Sequence, residues 1–433
     1  MAGPPRTRTG FLCTDRVMLI SARSVPRLRL YDEHVPAVSS PSGRSGADRC
    51  PGALRAHQAA DGLLVRVRLP GGRLSTAQLR RLAATARRDA DGTLELTSRG
   101  NVQLRGIPDQ QAVDRIAAVL VESGLLPSAS HETVRNIVAS PLSGLDHSGR
   151  SDVRPVVTRV DDALCACPDL ADLSGRFLIA VDDGRGDVAA LGADLCWLAD
   201  SGALLLAGRD VGLRATADEA PGTIVAAARA FLRQRAGRRD VWRVADLPEA
   251  SDAIVAALGG PYAEPVDPPR SGPPPVGPHP AGFVVAAAPL GRLTAAQAEA
   301  VAALTDGPAV VTPWRTVVVV AAPEAAVPAL TGAGLVVDPA SPWVGVTACA
   351  GRPGCGSALA DVRADATAAL AAAAPPAADA FPLHWAGCDR CCGRPFGPAA
   401  LAVATGAGYR VAGPRGDHQG PLSERVAQAR RPR

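Results

Sequence analysis

The sequence contains no lysine; all 46 of its basic residues are arginine. A Schiff-base lysine and a phosphate-loop lysine are therefore excluded. Any anion the protein grips must be held by guanidinium forks, which suit carboxylates bidentately. Aromatic residues are scarce, at 3% of the chain, so the core must be built from Ala, Val and Leu. The net charge of +4, set against 42 acidic residues, gives no reason to expect a nucleic-acid partner. Long apolar runs are missing as well. Pro and Arg break each candidate before it could span a bilayer, so no membrane partner is expected. Val17-Met18-Leu19-Ile20 is too short for a signal-peptide core. No GxGxxG fingerprint follows a strand-like run, which leaves no nicotinamide or flavin site, so electrons must come from another protein or a diffusing reductant. The ten cysteines form no disulfide-like ladder, and in a chain of 433 residues they read as cytoplasmic.

Four of those cysteines carry the strongest signal. Cys349 and Cys355 form a C-x5-C pair, and Cys388 and Cys392 a C-x3-C pair about thirty residues on. Each pair sits in a loop rich in Gly, Arg and Pro, as in Cys349-Ala350-Gly351-Arg352-Pro353-Gly354-Cys355 and Gly387-Cys388-Asp389-Arg390-Cys391-Cys392-Gly393. Four thiolates converging from two tight loops suit an iron–sulfur cluster or zinc. Structural zinc usually spaces its pairs by two to four residues, so the wider gap leans towards a larger cubane. Buried thiols acting as small hydrophobes are the alternative, and the adjacent glycines speak against it. Cys165, Cys167 and Cys196 read as core thiols. His384, four residues before Cys388, reads as a loop hydrogen-bonding group in preference to a ligand.

The chain also repeats itself. Gly72-Arg73-Leu74-Ser75-Thr76-Ala77-Gln78 recurs as Gly291-Arg292-Leu293-Thr294-Ala295-Ala296-Gln297, each copy leading into a helical pattern and then a strand-like run. Thr97-Ser98-Arg99 is matched by Thr312-Pro313-Trp314-Arg315, which pairs Arg99 with Arg315. Further on, Ala139-Ser140 precedes Asp152-Val153-Arg154 as Ala348-Cys349 precedes Asp361-Val362-Arg363. Ser140 then stands where the second copy has its first cysteine, and metal chemistry is kept in one copy only. Three blocks in conserved order imply a pseudo-twofold α+β protein with a ligand between the halves. Residues 1–47, rich in Arg, Pro, Ser and Gly, read as a disordered extension, with Met18 an alternative start. The Pro-rich stretch 261–280 reads as a linker.

The arginines Arg99, Arg135 and Arg315 recur near these repeated blocks, and a cleft lined with guanidinium groups would suit a polycarboxylate. Arg66 and Arg68 alternate with Val65 and Val67 and so share one strand face, either solvent or part of the same cleft.

These residues resemble the sirohaem sulfite and nitrite reductase superfamily. The likeness rests on Val65-Arg66-Val67-Arg68-Leu69-Pro70-Gly71-Gly72, Leu96-Thr97-Ser98-Arg99-Gly100-Asn101-Val102-Gln103, Val134-Arg135-Asn136-Ile137 and the four cysteines, and covers residues 48–412. Within it, Thr312-Pro313-Trp314-Arg315, the Cys349–Cys355 loop running on to Asp365, and Cys392-Gly393-Arg394-Pro395 resemble the precorrin-3B synthase family.

The resemblance implies a duplication of ferredoxin-like half-domains (48–126 and 281–338) and of nitrite/sulfite reductase 4Fe-4S-type α/β domains (127–260, without a cluster, and 339–433, with one). It implies an iron–sulfur monooxygenase that uses molecular oxygen to hydroxylate the tetrapyrrole precorrin-3A at C20, with γ-lactone formation. Cys349, Cys355, Cys388 and Cys392 would hold a 4Fe–4S cluster. Arg66, Arg68, Arg99, Arg135, Asn136, Arg176 and Arg315 would meet the substrate. The external donor would be NAD(P)H acting through a reductase, or ferredoxin. A separate non-haem iron is compatible with the chemistry, yet no two-His-one-carboxylate set stands out, and no catalytic acid, base or oxygen ligand is named. The alternatives are a sulfite or nitrite reductase with sirohaem as cofactor, and a non-catalytic iron–sulfur electron carrier or zinc-stabilised module. The sirohaem reductases bind their anion with a Lys-Phe-Lys segment. The matching stretch here is Arg176-Phe177-Leu178, and Leu178 can neither ligate nor protonate an anion. Cys391 falls where Arg is expected in the synthase pattern, which leaves open whether it can substitute as a ligand.

Overall fold

The computed structural model describes residue 48 and residues 50–431 apart from 306, 372, 374 and 378; the extension expected over residues 1–47 lies outside the described residues. The repeated block at Gly72 and Gly291 explains how the halves are joined. Each block contains a hydroxyl residue followed three positions later by its final Gln. Ser75 Oγ accepts from the Gln78 amide at 3.2 Å and Gln78 Oε1 accepts from the Ser75 amide at 2.9 Å. Thr294 and Gln297 repeat this at 3.1 and 2.8 Å. Two reciprocal capping boxes thus start the helices Thr76–Asp89 and Ala295–Leu304.

The short strand ahead of each helix does not join its own half. Arg73–Leu74 pairs with Ala309–Val311, and Arg292–Thr294 pairs with Thr93–Leu96. Two five-stranded antiparallel sheets therefore exchange an edge strand. One runs His57–Ala59, Gly62–Val67, Val102–Ile107, Thr93–Leu96, Arg292–Thr294. The other runs Gly277–His279, Phe283–Ala287, Thr316–Val320, Ala309–Val311, Arg73–Leu74. Gly72 makes the crossing possible: its φ is +71°, and any Cβ there would collide with the Val311 carbonyl. The two sheets and their helices share one hydrophobic core, with Leu74, Leu94 and Leu104 from one half packed with Val284, Leu293 and Val317 from the other. Each fully buried side chain of this size contributes about 1.5–3 kcal/mol. The Pro-rich stretch ends in the edge strand Gly277–His279, a position where Pro278 costs no interior ladder bond.

The remaining two sheets share a second topology. Ile137–Ala139, Ile179–Asp182 and Leu195–Leu198 lie parallel, then Ala203–Leu206 and Arg209–Arg214 turn back antiparallel. Val346–Ala348, Leu383–Ala386, Ala400–Thr405, Gly408–Gly413 and Gly416–Asp417 repeat that order and those directions. The parallel strands are apolar almost throughout because both faces are covered. This is the pseudo-twofold α+β duplication read from the sequence.

One sequence pairing is corrected. In the first copy, the Thr97 amide donates to the Asn101 carbonyl at 2.9 Å; in the second, Thr312 donates to Thr316 at 2.9 Å. The two turns superpose Arg99 on Trp314 and Gly100 on Arg315. Gly100 has φ +65° and Arg315 φ +59°. Arg315 is thus the counterpart of a glycine, not of Arg99, and holds a left-handed backbone that costs a side-chain-bearing residue about 1–2 kcal/mol. Matching Thr-x-Arg in the first copy to Thr-x-x-Arg in the second misaligned the copies by one.

Candidate cluster and arginine site

The two cysteine loops are tied together and to the sheet beneath them. Cys349 follows the strand Val346–Ala348, and its amide donates to the Trp385 carbonyl at 2.9 Å. The Leu359 amide reaches the Gly387 carbonyl at 2.8 Å, joining loop to loop, and the Gly387 amide donates to Cys349 Sγ at 3.1 Å. A Cβ on Gly387 would meet Ala358 Cβ at 2.6 Å and Cys349 Sγ at 3.6 Å, so only glycine leaves this space beside the thiol. The Cys392 thiol is pushed above its ordinary value, first by burial and then by Cys349, Cys388 and Cys355. The other three thiols therefore all lie within electrostatic reach of Cys392. Among the described residues, no three His, Cys, Asp or Glu side chains are gathered as tightly as a single metal ion requires. Four neighbouring thiols in glycine-rich loops, with an N–H aimed at one sulfur, fit an iron–sulfur cluster, whose ligands stand further apart. Cys391 turns on φ +44°, with its amide on the Cys388 carbonyl at 3.1 Å.

His384 spans the second strand of this sheet. Its Nδ1 pairs with Thr347 Oγ1 at 2.9 Å and its Nε2 with the Cys392 carbonyl at 3.1 Å. Both ring nitrogens are thus taken. Burial, and then the Arg315 charge, push its pKa down to about 3, so the ring is neutral.

The arginines separate into two sets. Arg66, Arg68 and Arg99 come together with Arg176 and Arg243. Arg68 is 2% exposed and donates to Asn136 Oδ1 at 2.7 Å; Arg66 donates to Gln103 Oε1 at 2.8 Å; Arg99 donates to the Gly175 carbonyl at 3.1 Å. Burial lowers the affinity of Arg68 for its proton, and Arg66 and Arg99 lower it further. Arg99 is pushed down to about 10 by burial and then by Arg243. Arg68 is buried and Arg66 half-buried, so the face they share is largely withdrawn from solvent. The Nε atoms of Arg66 and Arg68 are buried and have no hydrogen-bond partner. Arg176 is exposed and lies 4.6 Å above the Trp242 ring.

Arg135 lies apart from this set, and Asn136 supports it from beneath. Arg135 is 4% exposed, with Nη2 on Asp161 at 2.6 Å and Nη1 on the Leu125 carbonyl at 3.1 Å. Asn136 is fully buried; its amide donates to the Gly175 carbonyl at 2.7 Å and its oxygen accepts from Arg68 and Asn101. Asn136 thus holds Gly175, the partner of Arg99, while Arg135 ties Asp161 to the Leu125 carbonyl. Arg315 is a strut, with Nε on the Leu96 carbonyl at 3.1 Å and Nη2 on the Gly393 carbonyl. Leu178 lies in an apolar cluster that Trp314 borders, with no exposed surface.

Sequence reading missed the residues that clamp the cysteine loops. Arg105 donates to the Gly354 carbonyl at 2.7 Å while its fork holds Asp61. Arg363 donates to the Cys349 carbonyl at 3.2 Å and pairs with Glu95. With Arg315, three guanidinium groups fasten Cys349, Gly354 and Gly393 to the first half. The only available signal was Arg363, as the last residue of a repeated block.

Comparison with known proteins agrees with this architecture. Residues 55–120 match the nitrite/sulfite reductase ferredoxin-like half domain. A precorrin-3B synthase from a Sinorhizobium species is 34% identical over 155 residues, which is 36% of this chain and 32% of that protein. A ferredoxin–nitrite reductase from Synechococcus elongatus is 33% identical over 133 residues, 28% of this chain and 25% of the relative. The matched segments thus span a third or less of these relatives' lengths. The structure of the NirA protein of Mycobacterium tuberculosis has the same fold, with a TM-score of 0.66 and 21% identity over 84% of this chain and 79% of that one. In part of its length the chain is therefore similar to a precorrin-3B synthase and to ferredoxin–nitrite reductases, and residues 55–120 match the nitrite/sulfite reductase ferredoxin-like half domain.

Proposed function

We propose that the protein is a precorrin-3B synthase: an oxygen-dependent monooxygenase that hydroxylates precorrin-3A at C20 and closes a γ-lactone, in the aerobic route to cobalamin. The observation that carries this reading is the convergence of Arg66, Arg68 and Arg99, the first two with unpartnered buried Nε donors, in the half to which the cysteine loops are clamped. Each well-formed charge-assisted bond from these groups to a substrate acetate or propionate would contribute about 1.5–3 kcal/mol. Arg176, over Trp242 and exposed, is placed to meet a further carboxylate at the rim. Arg135, Asn136 and Arg315 are assigned to holding the fold instead.

Cys349, Cys355, Cys388 and Cys392 would hold a 4Fe–4S cluster, which would supply single electrons. One oxygen atom enters the substrate and the other leaves as water, so each turnover consumes two electrons and two protons. The donor is external, a ferredoxin or a reductase using NAD(P)H, and the setting is the cytoplasm. Among the described residues no helix is long and apolar enough to cross a membrane.

The sulfite or nitrite reductase reading is disfavoured by Leu178. Its burial in an apolar cluster leaves no charged group at the place of the second anion-binding lysine. Protein purified without oxygen tests the choice. An iron–sulfur absorption shoulder with no extractable tetrapyrrole is expected; stoichiometric sirohaem would transfer the assignment to the reductases.

A further inference from the structure

A row of side chains connects the arginine site to the first cluster cysteine. Arg66, Gln103, Glu95 and Arg292 sit on four adjacent strands, and the sheet register sets them side by side: Arg66 opposite Gln103, Gln103 opposite Glu95, Glu95 opposite Arg292. Arg66 Nη2 donates to Gln103 Oε1 at 2.8 Å, and Gln103 Nε2 donates to Glu95 Oε2 at 2.9 Å. The Gln103 amide is held in one sense only. Flipped, it would set NH2 against a guanidinium and its oxygen against a carboxylate. The other Glu95 oxygen accepts from Arg363 Nη2, and Arg363 Nε donates to the Cys349 carbonyl at 3.2 Å. Gln103 is 8% exposed, so water does not compete for these bonds.

Glu95 is the branch point. Besides Arg363 it faces Arg292 at 3.8 Å and Arg105 at 3.9 Å, and Arg105 holds the Gly354 carbonyl. Its charge is therefore shared among three guanidinium groups, two of which grip the Cys349–Cys355 loop. Anything that draws Arg66 away from Gln103 alters how Glu95 divides itself among them.

We infer that Gln103 and Glu95 are positioning residues that couple occupancy of the arginine site to the loop carrying Cys349 and Cys355. The inference rests on the functional reading above, in which a substrate carboxylate arrives at Arg66. A carboxylate that forks onto Nε and Nη2 of Arg66 competes with Gln103 Oε1 for Nη2, the loosened Gln103 amide shifts its bond to Glu95, and the grip on the cysteine loop changes. By linkage, the state of the loop changes tetrapyrrole affinity by the same factor. The row is a continuous set of hydrogen bonds on a rigid sheet, which is the physical requirement for such coupling.

The test uses the full chain loaded with iron and sulfide, with uroporphyrin as a metal-free tetrapyrrole polycarboxylate. Hydrogen–deuterium exchange is read at the amides of residues 349–359 with and without saturating ligand, so differences in affinity do not enter. Wild-type protein is expected to change exchange at this loop by about tenfold on binding. Gln103→Met, of similar size but unable to bridge Arg66 and Glu95, is expected to bind and to show less than about a twofold change. Glu95→Gln serves as the second variant should the first fail to fold. Binding with an equal loop response in wild type and variants would overturn the coupling while sparing the functional reading. Binding with no loop response in wild type would do the same. Failure of wild-type protein to bind the tetrapyrrole would overturn both.

Discussion

Ser140 and Cys349 occupy the same place in the two halves. Each is the first residue after a parallel edge strand, with its amide on the carbonyl of the neighbouring strand: Ser140 on Val181 at 3.2 Å, Cys349 on Trp385 at 2.9 Å. Each side chain accepts the amide two residues beyond that carbonyl, Asp183 at 3.1 Å for Ser140 Oγ and Gly387 at 3.1 Å for Cys349 Sγ. The two copies thus share one loop backbone, with a hydroxyl in the first where the second carries a thiol. Ser140 Oγ donates in turn to Asp187 Oδ1 at 2.7 Å, so a buried polar network fills the place of the sulfur site.

Because the first copy folds with a hydroxyl at this position, Cys349→Ser should fold and retain its helix and strand content. Its iron and acid-labile sulfide should fall to near zero. A variant retaining both at wild-type levels would remove Cys349 from the ligand set.

Arg66→Ala and Arg135→Ala should fail in different ways. Arg66→Ala should weaken tetrapyrrole binding by about tenfold or more, with a smaller change in melting temperature. Arg135→Ala strands Asp161 and the Leu125 carbonyl, and should destabilise the fold by about 3 kcal/mol. Titration by fluorescence, alongside thermal melting, separates the two; equal loss of affinity in both would return Arg135 to the binding site.

Burial, more than its carboxylate neighbours Asp182 and Asp183, raises the Asp187 pKa to about 7, against the opposing pull of Ser140 and Arg185. A carboxyl whose folded pKa exceeds its unfolded value contributes stability at low pH and loses it as the pH rises towards about 7. Asp187→Asn removes that loss, so its melting temperature relative to wild type should be higher at pH 8 than at pH 5. A difference independent of pH would show that Asp187 is already ionised at the lower value.

The exchanged strand depends on Gly72. Gly72→Ala places a methyl group against the Val311 carbonyl on a backbone at φ +71°, and should cost several kcal/mol of stability. Chemical denaturation measures it. A variant within about 0.5 kcal/mol of wild type would mean that the sheet edge yields freely.

The duplication and the four thiols were legible because each is a local pattern. The block at Gly72 recurs at Gly291, and glycine beside cysteine marks a loop wherever it occurs. The pairing of Arg315 with Arg99 was misread because both turns carry Thr and Arg close together. Only the hydrogen bonds from Thr97 to Asn101 and from Thr312 to Thr316 set the register. Arg135 and Arg66 look alike in sequence; Asp161 and Gln103, lying 26 and 37 residues away, distinguish a buried strut from a binding group.

Composition and short motifs alone left arginine as the fixed cation available to any anion, placed the paired cysteines in the second copy, and determined a doubled α+β architecture. Tertiary structure decided which half each short strand joins, which guanidinium groups keep spare donors, and how Glu95 stands between Gln103 and Arg363. The reason is the range of the forces. Capping and turn formation act within a few residues of chain. The partner of a buried charge is whichever group the packed sheets bring beside it, here from as far as 268 residues away between Glu95 and Arg363.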